Sequence, residues 1–441
     1  MNQIIFQQHI DLLADNYSKA LSSHREQGGQ LETLLIHSGS ESFYFADDRV
    51  IPFQAYGHYL HWIPVNRPDQ FVYLCPGQRP TYFQIVSDDY WHDQSIVNAD
   101  WWANSFQITR LGSLSEIPKH LCDSELGYLG PNAELAEKLG VDQVGVNPTD
   151  LTNYLDYQRA YKTVYEVEQL KAANKLAVIG HNAARDSFLN GGNEYQIHMA
   201  YLGACGILED ESPYTNIVAL DKNSAILHYQ YKNKSNGESS QVLLIDAGCR
   251  VNGYGSDVTR TSLKENAHST FKDLLQGMIN VEQELVSMVK PGVAYPEIHL
   301  AALFKIGQLL IDLGICHGSA EEMMEKELPH LFMPHGVGHL LGIQVHDVGG
   351  HQKDICGSTR APPGHSPALR NTRNLSEGMA FTIEPGCYFI PILLEAERNQ
   401  QRGKSINWNL VDELYPCGGI RIEDNVLVTA EGVENLTRQF E

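Results

Sequence analysis

The chain has 441 residues, of which 42% are hydrophobic and 20% charged; that is a normal globular composition, too long for one core, so two domains are expected. Its formal net charge of −22 argues against nucleic acid or an anionic membrane as partner, since both require a basic footprint. The opening "MNQIIFQQHIDLLADNYSKA" lacks the basic region and long apolar core of a signal peptide, and no later run has the apolar length of a membrane span, so a cytoplasmic protein is expected. The eight cysteines are scattered and form no CxxC pair, which fits reduced thiols without a catalytic role.

In chain order, "LETLLIHSGS", "FVYLCPGQRP" and "TYFQIVSDDYW" are short apolar runs bounded by turn residues, the pattern of strands in an α/β arrangement. A boundary is expected near 160, giving an amino-terminal α/β domain over 1–160 and a second domain over 161–441. "TVYEVEQLKAANKLAVIGHNAARDSF" opens with Thr163 and Glu166 at capping-box spacing and continues as a long amphipathic helix. Asn193 is placed to cap a helix over "EYQIHMAYLGACG". Two further helices, "FKDLLQGMINVEQELVSMV" and "PEIHLAALFKIGQLLIDLG", flank the "KPG" at 290–292. The strand-like pieces "VLLIDAG", "DVTRTSL", "MAFTIEPG" and "GGIRIEDNVLVT" lie between and after them, and helices segregated from antiparallel strands indicate an α+β fold.

"HGVGHLLGIQVHD", His335 to Asp347, concentrates three histidines and three glycines. Gly336 and Gly338 separate His335 from His339, so this is not the helical zinc signature; a loop or irregular turn is expected, followed by an alternating strand at "GIQVHD". "GVGHLLG" has its third glycine one residue late for a dinucleotide fingerprint. "GKS" at 403–405 has Arg398 where a phosphate loop needs glycine, and no GxSxG elbow occurs. Nucleotide chemistry and serine acyl transfer lose support.

In "VLLIDAGCRVNGYGSDVTRTS", Asn252-Gly253 between extended segments predicts a two-residue hairpin turn. Val251 then pairs with Tyr254, Asp246 falls opposite Thr259, and Asp257 lies two residues away on the same face. Diagonal neighbours of this kind have Cβ atoms roughly 7–8 Å apart, close enough for both carboxylates to reach one ion. Glu384 ends an apolar run before Pro385, and Glu423 is expected to share a strand face with Arg421. Four acids in one interior repel and destabilise the fold unless positive charge sits among them. Two divalent cations, with one histidine of the 335–347 stretch completing the set, supply that charge; the oxygen-rich donors favour hard ions such as Mn²⁺, Mg²⁺ or Co²⁺.

These motifs, in this order, resemble the metal-dependent prolidases (Xaa-Pro dipeptidases) of the "pita-bread" aminopeptidase fold, and most nearly the bacterial type that includes organophosphorus acid anhydrolases. With "EVEQLKAANKLA" they cover the chain after about 160; the first third is a weaker match, best at "FYFADDRVIPF" and "LHWIPV". The resemblance implies a carboxy-terminal pita-bread (creatinase/aminopeptidase) domain preceded by a smaller α/β domain that assists dimerisation and site closure. It implies two divalent ions per chain, Mn²⁺ before Co²⁺, Mg²⁺ or Zn²⁺: Asp246 binding one, His339 and Glu384 the other, and Asp257 and Glu423 bridging both. Glu384 would serve as general base and His346 would contact the scissile carbonyl, while His335, His228, Tyr214, Arg370 and Arg421 would line the substrate pocket. The implied activity is hydrolysis of Xaa-Pro dipeptides, with organophosphate triesters as side substrates; the alternative is an aminopeptidase P acting on longer Xaa-Pro peptides.

Overall fold

Phe6, Ile10, Leu13, Tyr17 and Leu21 recur at helical spacing, and Gln3–Glu26 is a helix that buries all five. The sequence reading placed no element there. The computed structural model describes residues 3–235 and 237–441 and divides into two compact units. The first runs to Arg159 and adds Thr163–Glu166 and Asp354–Ser358; the second comprises Ala160–Lys162, Val167–Lys353 and Thr359–Glu441.

The first unit is built on a five-stranded mixed sheet of β1 (Thr33–His37), β2 (Phe71–Leu74), β3 (Thr81–Ile85), β4 (Gln107–Leu111) and β5 (Leu126–Leu129), in the order β4-β3-β2-β1-β5. The three strands expected from sequence are β1, β2 and β3. β1 and β2 are buried throughout, so they read as continuous apolar runs rather than alternating ones. The helices Gln3–Glu26 and Thr149–Arg159 pack together. Buried His9 donates from Nε2 to the carbonyl of His61 at 2.8 Å and meets the Thr163 hydroxyl through Nδ1 at 2.9 Å. Glu166 lies 3.2 Å from His61 Nε2.

Thr163 and Glu166 form the expected capping box: Thr163 N donates to Glu166 Oε2 at 2.8 Å and Glu166 N to Thr163 Oγ1 at 3.3 Å. The helix runs over Val164–Leu189. Asn193 caps Glu194–Cys205 in the same way, and Gly206 closes it at φ 65°, a left-handed position that glycine adopts without strain. The helices Ser269–Ser287 and Tyr295–Asp312 pack against each other. They bury Leu274, Met278 and Leu285 with Ile298, Ala302 and Ile306 in the largest core of the second unit.

Four small sheets carry or flank the acidic motifs. β6 (Ile217–Leu220), β7 (Val242–Asp246) and β10 (Thr259–Leu263) form an antiparallel sheet ordered β10-β7-β6, and Asp246 pairs with Thr259 as counted from the turn. Asn252 and Gly253 turn the chain at φ 49° and 95° between β8 (Arg250–Val251) and β9 (Tyr254–Gly255), where Val251 faces Tyr254. β11 (Ala380–Ile383) pairs with β14 (Asp424–Val428), which also pairs with β15 (Val433–Asn435); β12 (Gly386–Tyr388) pairs with β13 (Gly419–Arg421).

Two strand expectations need correction. "GGIRIEDNVLVT" is not one strand: it breaks between Arg421 and Asp424, because its partner chain breaks at Glu384-Pro385, where proline cannot donate to the ladder. Glu423 is therefore not in a strand shared with Arg421, but makes an isolated bridge to Thr259. "GIQVHD" is not a strand either. Gly342 N bonds to the Gln344 carbonyl and Asp347 N returns to the Leu340 carbonyl, each at 3.0 Å, so the segment folds back on itself. The buried Lys162–Asp347 ion pair at 2.8 Å anchors its end.

Candidate metal centre

The breaks that interrupt these strands are the places where the acids converge. Asp246 ends β7; Asp257 sits in the link between β9 and β10; Glu384 follows β11; Glu423 precedes β14. His339 reaches the same point from the glycine-rich loop, where Gly338 has φ 149° and a Cβ would collide with the Thr382 carbonyl, so only glycine lets this loop lie against β11. Two backbone bonds fix the loop, Thr382 N to the His339 carbonyl at 3.0 Å and Glu384 N to the Val337 carbonyl at 2.8 Å.

Asp257, His339 and Glu423 are buried, with donor atoms within 4.8 Å of one another. His339 Nε2 is 3.3 Å from Asp257 Oδ2 and 3.8 Å from Glu384 Oε1. His339 Nδ1 donates to the Leu340 carbonyl at 3.0 Å, which leaves Nε2 as the lone-pair face turned into the cluster, the tautomer a metal requires. Asp246 accepts from Tyr214 OH at 2.7 Å and from Arg421 Nη2 at 2.6 Å. Thr259 donates its hydroxyl to Glu423 Oε2 at 2.6 Å.

The electrostatics describe a cluster short of positive charge. Burial, reinforced by neighbouring carboxylates, pushes Asp246 up to about 6 and Glu384 up to about 7, and Glu423 well above the ordinary carboxylate range. Burial would lower His339, but Asp257 beside it overrides this and raises it; reciprocally, His339 outweighs the burial of Asp257 and lowers its carboxyl. One guanidinium and one imidazole do not balance four buried carboxylates. The donors of Asp257, His339 and Glu423, with Glu384 beside His339 and Asp246 under the charge of Asp257, fit divalent cations with hard-ligand preference.

The residues expected to line a pocket fall into two groups. His335, Tyr388 and Arg421 form a relay: Arg421 Nη1 donates to Tyr388 OH at 2.9 Å, and Tyr388 OH meets His335 Nε2 at 3.0 Å. Burial, then Arg421, lowers His335 to about 3, so it is a neutral acceptor. Arg421 and Tyr214 are thus committed to holding Asp246. His346, His228 and Arg370 are exposed. The His346 ring stands edge-on to His339, centroids 4.3 Å apart at 83°, and the charges of Arg370 and His228 bear on it. Sequence reasoning missed Tyr388 and Thr259; Thr259 was legible as the cross-strand partner of Asp246, whereas nothing local marked Tyr388.

The model of "Metallopeptidase family M24" matches residues 168–430, and that of "Xaa-Pro dipeptidase, N-terminal domain" matches residues 4–157. The chain is 40% identical to the Xaa-Pro dipeptidase of Pseudoalteromonas atlantica and 41% identical to that of Aeromonas hydrophila, each alignment covering 99% of this chain and 98% of the relative. Escherichia coli aminopeptidase P, solved with the inhibitor Pro-Leu, superposes with a TM-score of 0.76 over 100% of this chain and 96% of that one, at 20% identity, a likeness of fold. The chain belongs to metallopeptidase family M24.

Proposed function

We propose that the chain is a prolidase, a metal-dependent hydrolase of Xaa-Pro dipeptides. Two divalent ions would be held by Asp246, Asp257, His339, Glu384 and Glu423. The observation that carries the reading is the buried, under-neutralised donor set, in a chain about 40% identical over its length to proteins named Xaa-Pro dipeptidase.

When bound, the ions supply charge neutralisation and a water acidic enough to attack near neutral pH. The chain's residues do the rest. A Glu384 carboxylate oxygen takes the proton of the attacking water. His346, exposed beside His339, donates to the oxygen on which charge develops as the scissile carbonyl becomes tetrahedral. His335 presents a neutral wall, Tyr214 and Arg421 hold Asp246 in place, and Arg370 with His228 faces the substrate. An exposed arginine suits the free carboxylate of a dipeptide. The Xaa-Pro bond is a tertiary amide without an N–H, which sites that grip extended backbone bind poorly, so a dedicated pocket is chemically sensible.

The finer assignments rest on the same reading. Manganese suits the oxygen-rich donors. The amino-terminal residues 1–160 would act as a separate domain that closes the site and forms a homodimer; Phe45, Tyr90 and Trp91, all strongly exposed, supply apolar surface for such an interface. A cytoplasmic location is supported by free cysteines and by the absence, among the described residues, of a helix long and apolar enough to cross a membrane. Phosphotriesters are expected as side substrates, because a tetrahedral phosphorus centre resembles the state the site stabilises.

The test is a panel of Xaa-Pro, Xaa-Pro-Yaa and non-proline dipeptides, assayed after chelation and again with added Mn²⁺. Turnover confined to Xaa-Pro supports the prolidase reading; preference for Xaa-Pro-Yaa transfers it to aminopeptidase P.

A further inference from the structure

Cys75 and Cys122 are 47 positions apart, yet their sulfurs lie 3.9 Å from each other. Cys75 directly follows β2, and Cys122 lies between the turn Leu114–His120 and β5. In the sheet, β1 lies between β2 and β5, with Leu34 paired to Leu74 on one side and to Gly127 on the other. The two thiols therefore meet at the edge where β1 begins, one in the loop after β2 and the other in the loop before β5. The approach is fixed by structure around it: Cys122 N donates to Tyr73 OH at 3.1 Å, and Thr33 and Ser124 meet through their hydroxyls at 3.2 Å.

We propose that Cys75 and Cys122 form a thiol-modification site of the amino-terminal unit, closed to an intramolecular disulfide by small-molecule disulfides and reopened by thiols. A disulfide needs the sulfurs at about 2.05 Å, and the remaining closure falls on two loop residues outside the strands, where backbone adjusts at little cost. Cys122 is exposed and Cys75 partly so, whereas Cys205, Cys249, Cys316 and Cys387 are buried. Cys205 and Cys249 are also neighbours, but a bulky disulfide cannot reach them in the folded protein.

The order of events follows from accessibility. The Cys122 thiolate attacks one sulfur of the small disulfide, its proton passing to solvent, and the departing small thiolate takes up a proton. The Cys75 thiolate then attacks the Cys122 sulfur of the mixed disulfide and expels the second small thiol. In balance, two protein thiols are oxidised by two electrons and one small disulfide is reduced to two small thiols. Burial and the neighbouring Cys122 raise the Cys75 thiol, which suits it to the second, intramolecular step, where proximity compensates for a small thiolate fraction. The bond would close a loop containing β3 and β4 and so restrict the unfolded chain.

The experiment incubates the metal-loaded, full-length protein with oxidised glutathione and reads intact mass, peptide map and thermal midpoint. The expected result is a loss of about 2 Da, a cross-linked peptide pair containing Cys75 and Cys122, and a midpoint raised by several degrees and returned by dithiothreitol. Cys75→Ser should instead stop at a glutathione adduct on Cys122, and Cys122→Ser should give no cross-link. The proposal is overturned if the wild-type protein accumulates the adduct on Cys122 without closing the bond, or if Cys356 is consumed while Cys75 and Cys122 stay reduced.

Discussion

Arg260 holds Glu423 from behind. Its Nη1 donates to the Glu423 carbonyl at 2.7 Å and to the Thr259 carbonyl at 2.9 Å, while Nη2 meets Asp424 Oδ1 at 2.6 Å. Asp424 is fully buried and also binds Arg438, whose Nη2 reaches Glu282 at 2.7 Å. The carboxylate of Glu423 thus faces the acidic cluster with Asp257 and His339 from a backbone pinned by a block of buried charge.

That pinning predicts a loss of metal affinity from a residue that touches no metal. Arg260→Ala should weaken metal binding by about 10–100-fold, the scale for removing supports behind a ligand, and should cost about 3–5 kcal/mol of stability by leaving Asp424 under-paired. Calorimetric metal titration and chemical unfolding measure the two effects. Unchanged metal affinity in a destabilised protein would mean that the block serves the fold alone.

Metal removal should have two consequences. Hydrolysis of Xaa-Pro dipeptides should disappear on exhaustive chelation and return with Mn²⁺. The metal-free protein should also melt lower, because four buried carboxylates then face one another with too little positive charge. Scanning calorimetry before and after chelation checks this; full activity with no metal left by elemental analysis would refute the assignment.

The cluster was legible because its information is local. An Asn-Gly turn sets a register, and the register fixes which side chains face one another, so Asp246 opposite Thr259 followed from counting alone. The Thr163–Glu166 and Asn193 caps were legible for the same reason. What stayed hidden depends on partners distant in sequence. Alternation at "GIQVHD" imitates a strand, but among the described residues it joins no ladder, and the Lys162–Asp347 pair anchors the segment in turns. Tyr388 acquires its place only when β12 meets β13 and brings it to Arg421. The resemblance implies that Arg421 lines the substrate pocket; in the fold Asp246 takes its Nη2 and Tyr388 its Nη1.

The three histidines of residues 335–347 should separate by phenotype. His339→Ala removes the imidazole whose Nε2 faces Asp257, so metal content and activity should fall together. His346→Ala should keep the metals and lower kcat by about 10²–10³-fold, the cost of one oxyanion hydrogen bond. His335→Ala breaks the relay from Tyr388 and should chiefly raise KM or shift the preferred residue before proline. Metal analysis beside steady-state kinetics distinguishes them, and loss of metal in His346→Ala would show that the motif has been read in the wrong register.

Acid should destabilise the second unit through His299. It is buried on the helix Tyr295–Asp312, with Nε2 bonded to Ser366 Oγ at 2.8 Å, and burial, then the nearby His330, lowers it from 6.5 to about 4. The folded state therefore takes up this proton later than the unfolded chain does. Its contribution to stability is complete above about pH 6.5 and is lost as the pH falls towards 4, by up to ~3 kcal/mol. His299→Gln keeps an amide to bond Ser366 but cannot titrate, so it should be less stable than the wild type at pH 8 and should lose less stability between pH 6.5 and 4.5. Urea midpoints across that range measure the difference; parallel curves for the two proteins would show that the proton is taken up elsewhere.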